Sequence, residues 1–359
     1  MKDKLNFALV GCGRIAQRYS DIFANDQLRN ALLVAVSDAN LPRAEKLAQK
    51  HKVPAFDDFR VMMEKHRNDI DVVCILTESG YHARHAVELA AYGKHLVVEK
   101  PMALTLEDAD RMIAACDRAG IKLFIVKQNR YNLPVRKLRE ALESGRFGKI
   151  VMGTTRVRWC RRQNYYDQDA WRGTWAYDGG VFANQASHHV DLVQWCLGQP
   201  VTVYATGRTA LAKDIETEDT GAAVVTFASG AIGVIEATTA TRPVDLEGSL
   251  SILGENGTVV IGGFAANKLV DWKFETAEPG DEEVFAKFSD NPPSVYGFGH
   301  IAYLQHVVDA VMNGAPSLVD GLEGRRSLEL VIAIYESMAT GEIIKIGYGK
   351  PRSLLGRAI

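Results

Sequence analysis

Residues 5–16 of this 359-residue chain read LNFALVGCGRIA. A short apolar run there meets a turn with the spacing Gly11-x-Gly13-x-x-Ala16, and a helix-forming stretch follows. In such a strand–turn–helix unit the first glycine permits the tight turn, the second lets the backbone approach a ligand, and the small third residue lets helix and strand pack closely. The helix N-terminus offers N–H donors and the positive end of its dipole to phosphate groups. The stretch therefore predicts a dinucleotide-binding turn formed by Gly11, Gly13, Arg14 and Ile15.

An acidic residue follows the next predicted strand. Residues 32–36 are apolar, and Ser37-Asp38 ends them at the spacing expected of a ribose-binding carboxylate. A carboxylate accepts hydrogen bonds from a ribose 2′-hydroxyl and repels a 2′-phosphate, so Asp38 favours NAD over NADP. Arg43 lies close enough in sequence to approach a phosphate, which keeps NADP as the alternative.

The two halves of the chain differ in pattern. Over residues 1–124 short apolar strands alternate with amphipathic helices, which predicts a parallel sheet covered on both faces, an α/β Rossmann domain. Over residues 125–359 the strands are longer and several are joined by short glycine-containing turns, which predicts antiparallel hairpins in an α+β domain for substrate binding and oligomerisation. We expect the last helix, at about residues 327–338, to pack back on the first domain.

Composition excludes several classes of protein. The 42 Lys and Arg against 44 Asp and Glu leave a net charge of −2, which argues against a nucleic-acid-binding protein. No segment approaches the roughly 20 apolar residues of a membrane span, and no cleavable leader pattern follows the N-terminus. The five cysteines are scattered, without the spacing of a metal site. We therefore expect a cytoplasmic protein that binds no metal, nucleic acid or membrane.

Glu99-Lys100-Pro101 follows the predicted strand at residues 95–98. Because the carboxyl ends of parallel strands face the ligand crevice, Lys100 should point at the nicotinamide. A lysine there can bind a substrate hydroxyl and help to remove its proton. A solvated lysine paired with Glu99 is the equally weighted alternative.

These motifs together resemble a known family. Gly11-x-Gly13-x-x-Ala16, then Glu99-Lys100-Pro101, then Gly179-Gly180 followed by His188 and Asp191, are similar to the glucose–fructose oxidoreductase / inositol dehydrogenase / MocA (Gfo/Idh/MocA) family. The resemblance implies a Rossmann domain followed by a domain with an open, mostly antiparallel sheet. It also implies NAD(P)-dependent hydride transfer at a sugar or cyclitol CH–OH group. The residues it implicates are catalytic Lys100 and His188, and cofactor contacts at Thr77, Glu99, Lys100 and Gln128.

The chain departs from the family pattern four positions before His188. The family has an acid there, whereas this chain has Asn184, which can orient a proton donor but cannot take its charge. This shifts the acid–base work to Lys100 and His188, without deciding which of them is the base. Residues 184–191, NQASHHVD, are similar to a subgroup that oxidises C3 of a UDP-linked N-acetylated aminouronic acid for bacterial surface polysaccharides. Asn184 and Gln185 are then expected to position ring hydroxyls or the acetamido group.

Arginines and aromatic residues precede this stretch. Arginine binds carboxylates and phosphates through two parallel hydrogen bonds, and aromatic rings stack on a uracil or on a sugar face. A UDP-linked uronate carries both kinds of anion, so we expect it as the substrate; a charged rim at an oligomer interface is the alternative. The predicted substrate-binding residues are Lys100, Arg156, Arg158, Tyr165, Trp171, Arg172, Asn184, Gln185 and His188.

Three other functions remain open. A sibling dehydrogenase for a free sugar, inositol or dihydrodiol would keep every cofactor motif. A non-enzymatic regulator would bind the dinucleotide on the same fold but would have no need for both Lys100 and His188. A reductase of imines or tetrapyrroles would have no use for the arginines. The resemblance also implies a homo-oligomer, a dimer or tetramer, paired through its open sheets.

Overall fold

A computed structural model describes residues 3–290, 297–349 and 351–357. The chain divides into two compact units. The first comprises residues 1–126 and 301–326, and the second residues 127–300 and 327–359. The other residues of the two predicted domains (1, 2, 291–296, 350, 358 and 359) lie outside the described part.

Within that described part, the first unit contains a parallel sheet of six strands. They are β1 (Leu5–Val10), β2 (Ala31–Ser37), β3 (Ala55–Phe56), β4 (Val72–Ile75), β5 (His95–Val98) and β6 (Leu123–Ile125). Their order across the sheet is β3-β2-β1-β4-β5-β6, so the direction of winding reverses between β1 and β4. Ligands of such sheets bind at this reversal, outside the carboxyl ends of the strands. The prediction of a Rossmann domain is confirmed.

Helices follow the strands of the first unit. They are α1 (Arg14–Ala24), α2 (Leu41–His51), α3 (Phe59–His66), α4 (His82–Ala90) and α5 (Leu106–Arg118). A side chain caps the N-terminus of two of these helices. Asp58 accepts a hydrogen bond from Arg60 N at the start of α3, and Thr105 accepts one from Asp108 N at the start of α5. Both bonds are N-caps, which satisfy N–H groups that the helix itself leaves unpaired.

The sheet of the second unit is mixed rather than wholly antiparallel. Its eight strands within the described ranges are β7 (Ile150–Arg158), β8 (Pro200–Arg208), β9 (Thr220–Phe227), β10 (Ile232–Thr238), β11 (Glu247–Gly254), β12 (Gly257–Gly262), β13 (Lys268–Phe274) and β14 (Ile344–Lys345). The order is β13-β12-β11-β7-β10-β9-β8-β14. All neighbours pair antiparallel except β7 and β10, which are parallel. The prediction of a mostly antiparallel sheet is confirmed.

The remaining helices are α6 (Leu133–Glu143), α7 (Gln163–Tyr166), α8 (Ser187–Leu197), α9 (Val284–Lys287), α10 (Gly299–Met312) and α11 (Gly321–Thr340). The sequence pattern did not predict five elements of the second unit, namely α6, α7, α9, β13 and β14. Residues 321–326 of α11 belong to the first unit, and residues 327–340 belong to the second.

The two faces of the second sheet differ. One face packs on α8: a Cβ atom at Gly153 would lie 2.5 Å from Cδ1 of Leu197. The other face carries exposed apolar side chains, among them Tyr204, Val224 and Ile232. Side chains alternate between the faces along each strand, so a residue's position in the strand decides which face it occupies.

Candidate active site

The glycine turn follows β1 at the carboxyl end of the first sheet. Gly11 has a φ of +96°, in the left-handed region, and a Cβ atom there would lie 2.7 Å from the carbonyl carbon of Leu76. Glycine suits a position that combines this backbone with so close an approach. At Gly13, directly before α1, an added Cβ would meet no described atom within 4 Å. The turn is therefore packed at Gly11 and open at the N-terminus of α1.

Asp38 follows β2 and borders the same turn. Its Oδ2 accepts a hydrogen bond from Cys12 N (2.7 Å), and its Oδ1 accepts one from Asn40 N (2.8 Å). The N-cap of α1 is Gly13, which has no side chain to cap the first turn, and no acidic residue lies in that turn. A helix N-terminus without a side-chain cap, beside a carboxylate, fits the pyrophosphate and ribose of a dinucleotide.

Glu99 and Lys100 follow β5 at the same edge of the sheet. Glu99 is buried, and its two carboxylate oxygens accept from Tyr19 Oη (3.0 Å) and from Lys100 N (3.1 Å). The side chain of Lys100 is partly exposed. Glu99 therefore holds the backbone of Lys100 and braces it against α1.

His82 was not identified by the sequence analysis. Its two ring nitrogens lie 2.7 Å from the carbonyl oxygen of Pro101 and 2.9 Å from that of Thr77. Burial lowers the pKa of His82, although both carbonyl contacts oppose that shift. This buried ring ties the segment after β4, which carries Thr77, to the segment that carries Lys100.

In the second unit a loop leads from Asp178 to α8 and carries Asn184 and Gln185. The hydroxyl of Tyr335 accepts from Gly180 N (2.9 Å) and Ala183 N (3.2 Å), and donates to Oε1 of Glu218 (3.0 Å). The same Oε1 accepts from Phe182 N (3.0 Å), and the Glu218 carbonyl accepts from Val181 N (3.0 Å). Four successive N–H groups of the loop are thus bound by two buried residues.

The loop glycines make room for these two residues. A Cβ atom at Gly180 would overlap the Glu218 carboxylate, and one at Gly179 would lie 2.7 Å from Cδ1 of Leu355 and 3.3 Å from the Tyr335 hydroxyl. Burial, with the charge of Asp178 in addition, raises the pKa of Glu218 from 4.5 to about 7, although its hydrogen bonds oppose the shift. Glu218 therefore changes charge near neutral pH.

His188 lies in the first turn of α8 and is 7% exposed. One turn further, Asp191 accepts two hydrogen bonds from Arg130, from Nε and Nη2, both at 2.8 Å. Burial opposes ionisation there, but the charges of Arg130 and Lys127 hold the pKa of Asp191 below its ordinary value. This ion pair anchors α8 to the 3₁₀ turn over Gln128–Tyr131. The side-chain oxygen of Gln128 in that turn is buried without a hydrogen-bond partner among the described residues.

Several predicted substrate-binding residues lie together before α8. The Tyr165 hydroxyl accepts from Arg172 Nη1 (2.8 Å) and from Gln185 Nε2 (3.3 Å). The Arg172 guanidinium lies over the rings of Tyr165 and Trp171, 4.7 and 4.5 Å from their centroids. Asp169 pairs with Arg172 at 2.9 Å. We call these four residues, Tyr165, Trp171, Arg172 and Gln185, the Arg172 cluster.

The structure does not bring Arg156 and Arg158 into the Arg172 cluster. Both point to the open face of the second sheet, away from α8, because they alternate with the buried Thr155 and Val157 of β7. Arg158 Nε lies 2.5 Å from Glu236 Oε1, and Arg156, with a side chain 47% exposed, lies 3.8 Å from the same carboxylate. Arg156 and Arg158 therefore have other partners than Arg172 in the structure, and their predicted contact with the substrate stays a prediction.

Metal sites and membrane spans are not found in the described part of the chain. No group of three or more His, Cys, Asp or Glu side chains in residues 3–290, 297–349 and 351–357 is arranged to hold a metal ion. No helix in these ranges is both long enough and apolar enough to cross a bilayer.

Two family models match almost the whole chain. Residues 5–127 match the NAD-binding Rossmann fold of an oxidoreductase family, and residues 139–346 match its C-terminal alpha/beta domain. The chain belongs to the Gfo/Idh/MocA oxidoreductase family. It is therefore an oxidoreductase with an NAD-binding domain, and its glycine turn and Asp38 fit that cofactor.

Individual Gfo/Idh/MocA proteins are similar over nearly the full length. The WlbA dehydrogenase from Bordetella pertussis, solved with NADH and UDP-GlcNAcA, is 41% identical with a TM-score of 0.91, covering 97% of this chain and 99% of that one. WlbA from Chromobacterium violaceum, solved with the same two ligands, is 39% identical with a TM-score of 0.89, covering 97% of each chain. Myo-inositol 2-dehydrogenase of Thermotoga maritima is 27% identical over 95% of this chain and 98% of its own.

The sequence analysis missed four buried residues that hold the segments carrying the predicted site residues. His82, Asp178, Glu218 and Tyr335 are buried and contact the segments that carry the predicted site residues. The only signal for them was a polar residue in an otherwise apolar or turn-forming stretch. Such a residue does not disclose its partner, because the partner lies far away in the sequence.

Proposed function

We propose that the protein is an NAD⁺-dependent dehydrogenase that oxidises the C3 hydroxyl of UDP-GlcNAcA to a ketone. The observation that carries the proposal is the similarity to WlbA, 41% identical over 97% of this chain and solved with NADH and UDP-GlcNAcA. Myo-inositol 2-dehydrogenase, which acts on an uncharged cyclitol, is more distant at 27%.

The cofactor-binding residues in this proposal lie mainly at the edge of the first sheet. The N-terminus of α1 at Gly13, with Arg14 and Ile15, would receive the pyrophosphate, and Asp38 would bind the ribose hydroxyls. Further contacts are proposed for Gly11, Thr77, Glu99, Lys100 and Gln128. When bound, NAD⁺ supplies the hydride acceptor of the reaction.

Lys100 and His188 are the proposed catalytic residues. In its neutral form each side chain can accept the proton of the C3 hydroxyl, and removing that proton allows the carbon to release hydride. The Glu99 hydrogen bond to the Lys100 backbone and the Asp191–Arg130 ion pair behind α8 hold the two residues in position. Positioning of this kind is the main contribution of the protein to such a reaction.

The Arg172 cluster is the proposed contact for the anionic part of the substrate. The Arg172 guanidinium suits a carboxylate or a diphosphate, and the rings of Tyr165 and Trp171 suit a uracil or a sugar face. Asn184 and Gln185 are proposed to bind ring hydroxyls or the acetamido group. Arg156 and Arg158 are paired on the other face of the sheet, so we leave them out of these contacts.

The test is NADH formation by the purified protein with UDP-GlcNAcA, UDP-GlcNAc and myo-inositol as separate substrates. We expect turnover with the uronate, little with UDP-GlcNAc, and a loss of about 100-fold or more in kcat for His188→Asn and for Lys100→Met. Thermal unfolding of both variants controls for folding.

Each outcome has a distinct meaning. Turnover with inositol and none with the uronate would keep the family and replace the substrate. Tight NAD⁺ binding without turnover of any substrate would favour the regulator, unless an added oxo acid, which could re-oxidise retained NADH, restored turnover.

We further propose a homo-oligomer, a dimer or tetramer, joined through the open face of the second sheet. The exposed Tyr204, Val224 and Ile232 on that face are unusual for a surface in contact only with water. Light scattering of the wild type beside Val224→Lys tests this, because a charge there should dissociate the assembly.

We also propose a location and a biosynthetic role. The proposed reaction uses NAD⁺ and a nucleotide sugar, which favours the cytoplasm as its location. Its product, a keto sugar on a UDP carrier, suits the synthesis of surface polysaccharide such as the lipopolysaccharide O-antigen.

A further inference from the structure

Asp178 is a buried carboxylate in the loop before α8, only 1% exposed. Its Oδ1 accepts a hydrogen bond from Nδ2 of Asn184 at 2.6 Å, and its Oδ2 accepts one from Gly173 N at 2.9 Å. One carboxylate oxygen thus accepts from a side chain of the same loop, and the other accepts from a backbone N–H group. The side chain of Asp178 therefore has a defined orientation.

A carboxylate accepts hydrogen bonds and donates none, so only the N–H side of the Asn184 amide can face Asp178. The amide group is planar, and its oxygen therefore points to the other side. We infer that Asp178 is a positioning residue that makes Asn184 present its amide oxygen, a hydrogen-bond acceptor, to the substrate; this rests on the proposed function for the place of Asn184 in the site.

The rest of Asn184 is already held. Its backbone N–H donates to the Gly180 carbonyl (3.0 Å), and its carbonyl accepts from the Ser187 hydroxyl (3.0 Å). Tyr335 and Glu218 bind the preceding N–H groups. Rotation of the side-chain amide would exchange an acceptor for a donor, and the hydrogen bond from Nδ2 to Asp178 opposes that rotation.

This arrangement accounts for the departure from the family pattern at position 184. An acid there presents an acceptor in either orientation, whereas an asparagine presents one in only half of them. In this chain the carboxyl group is that of Asp178, and the amide of Asn184 presents the acceptor to the substrate. Position 184 thus keeps acceptor chemistry without a charge of its own next to an anionic substrate.

The two residues can be exchanged. In Asp178→Asn the new amide oxygen keeps the Gly173 N–H, so its NH₂ faces the NH₂ of Asn184 and forces that amide to turn over. In Asn184→Asp two carboxylates meet at hydrogen-bond distance. The double variant combines both substitutions. Its amide at position 178 keeps the Gly173 bond and donates to the new carboxylate at position 184, which again offers an acceptor.

We expect each single variant to lose about 10- to 100-fold in kcat/KM for UDP-GlcNAcA, and the double variant to recover to within about fivefold of the wild type. The dissociation constant of NAD⁺ should stay within about twofold throughout. A double variant no better than the weaker single one, or an Asp178→Asn protein with wild-type kcat/KM, would overturn the inference.

A matched control separates orientation from the loss of a buried acid. Asp219 is also buried, and it accepts hydrogen bonds from Ala210, Leu211 and Ala212 N without touching Asn184. Asp219→Asn should lower the melting temperature by several degrees while kcat/KM stays within about twofold. An equal loss of kcat/KM in Asp219→Asn would reduce the role of Asp178 to stability.

Melting temperatures keep the inference testable if UDP-GlcNAcA is not turned over. That result would refute the proposed function alone, since the pairing of positions 178 and 184 does not depend on the substrate. Each single variant should then still melt several degrees below the wild type, and the double variant within about 2 °C of it. Melting of the double variant at or below the single variants would refute the pairing itself.

Discussion

Two loops of this protein begin with a glycine in the left-handed region and lead into a helix. One leaves open space before its helix, and the other is filled by side chains of the protein. In the first unit Gly11 has a φ of +96° and the loop leads to α1; in the second Gly179 has a φ of +80° and the loop leads to α8. The first loop leaves space at Gly13. The second is filled at Gly180 by Glu218, and its N–H groups are bound by Glu218 and Tyr335.

The difference shows that glycine serves two purposes in these loops: it leaves open space in one and accommodates a neighbouring side chain in the other. In the first loop Gly11 makes room for the backbone at Leu76, and Gly13 leaves space at the helix N-terminus, where the phosphates of the cofactor are proposed to bind. In the second loop glycine makes room for the protein's own side chains, which fix the segment that carries Asn184 and Gln185. The first loop is thus open at Gly13, where the cofactor is proposed to bind, and the second is filled at Gly180 by the side chain of Glu218.

Replacing one glycine in each loop by alanine should affect stability in one case and NAD⁺ affinity in the other. Of the predictions made here, the loss of stability is the largest expected effect. Gly180→Ala would push a Cβ into the Glu218 carboxylate and should cost about 3 kcal/mol of unfolding free energy. Gly13→Ala meets no described atom within 4 Å and should change that free energy by less than about 0.5 kcal/mol while weakening NAD⁺ binding about 10-fold. Chemical denaturation and calorimetry measure the two quantities. Equal stability losses in both variants would contradict the comparison.

The filled loop should also respond to pH. The pKa of Glu218 is raised from 4.5 to about 7, so the folded protein keeps a proton that the unfolded chain releases. Stability should therefore fall as pH rises from about 4.5 to about 7, by about 3 kcal/mol in total, and then level off. Glu218→Gln keeps the acceptor for Phe182 N and Tyr335 Oη and should lack this slope. Denaturation of both proteins across that range is the measurement, and parallel curves would show that Glu218 is not responsible.

Asp38 offers a test confined to the open loop. Asp38→Ala removes the acceptor of Cys12 N and the proposed ribose contact, so the dissociation constant of NAD⁺ should rise about 10- to 100-fold in calorimetry. Asp58→Ala is the matched control, because Asp58 caps α3 in the same unit through Arg60 N. It should cost about 1 kcal/mol of stability and leave NAD⁺ affinity unchanged. A similar loss of affinity in both variants would point to general destabilisation.

The smallest expected effect concerns the arginines. Arg172→Ala should raise KM for UDP-GlcNAcA about 10-fold, because the variant loses the proposed charged contact beside the filled loop. Arg156→Ala, on the open face of the sheet, should leave KM within about twofold. Steady-state kinetics of the two variants decide between these positions. A KM increase for Arg156→Ala as large as for Arg172→Ala would return Arg156 to the substrate contacts.

Much of the first unit could be predicted because its signals are local. Apolar strands of four to six residues, helical periodicity and the Gly11–Gly13 spacing each act within a few positions, and the structure has strands at residues 5–10, 31–37, 72–75 and 95–98. The position of Asp38 beside the glycine turn was predictable because strand order places β2 beside β1 in such folds. The parallel pairing of β7 with β10 could not be predicted, since the sequence of neither strand indicates which strand lies beside it.

For this protein the sequence alone was sufficient to predict the Rossmann unit, because short-range periodicity and turn chemistry encode it. The family resemblance rested on three motifs, and the catalytic role proposed for His188 came from that resemblance. Tertiary structure alone decided that Tyr335 and Glu218, separated by 117 positions, share one hydrogen bond behind Gly180, and that Asp178 orients Asn184. It also decided that Arg156 faces away from α8. These facts depend on which face of a sheet a helix covers and on which distant side chain fills a glycine's space, and neither is written in any local stretch of the chain.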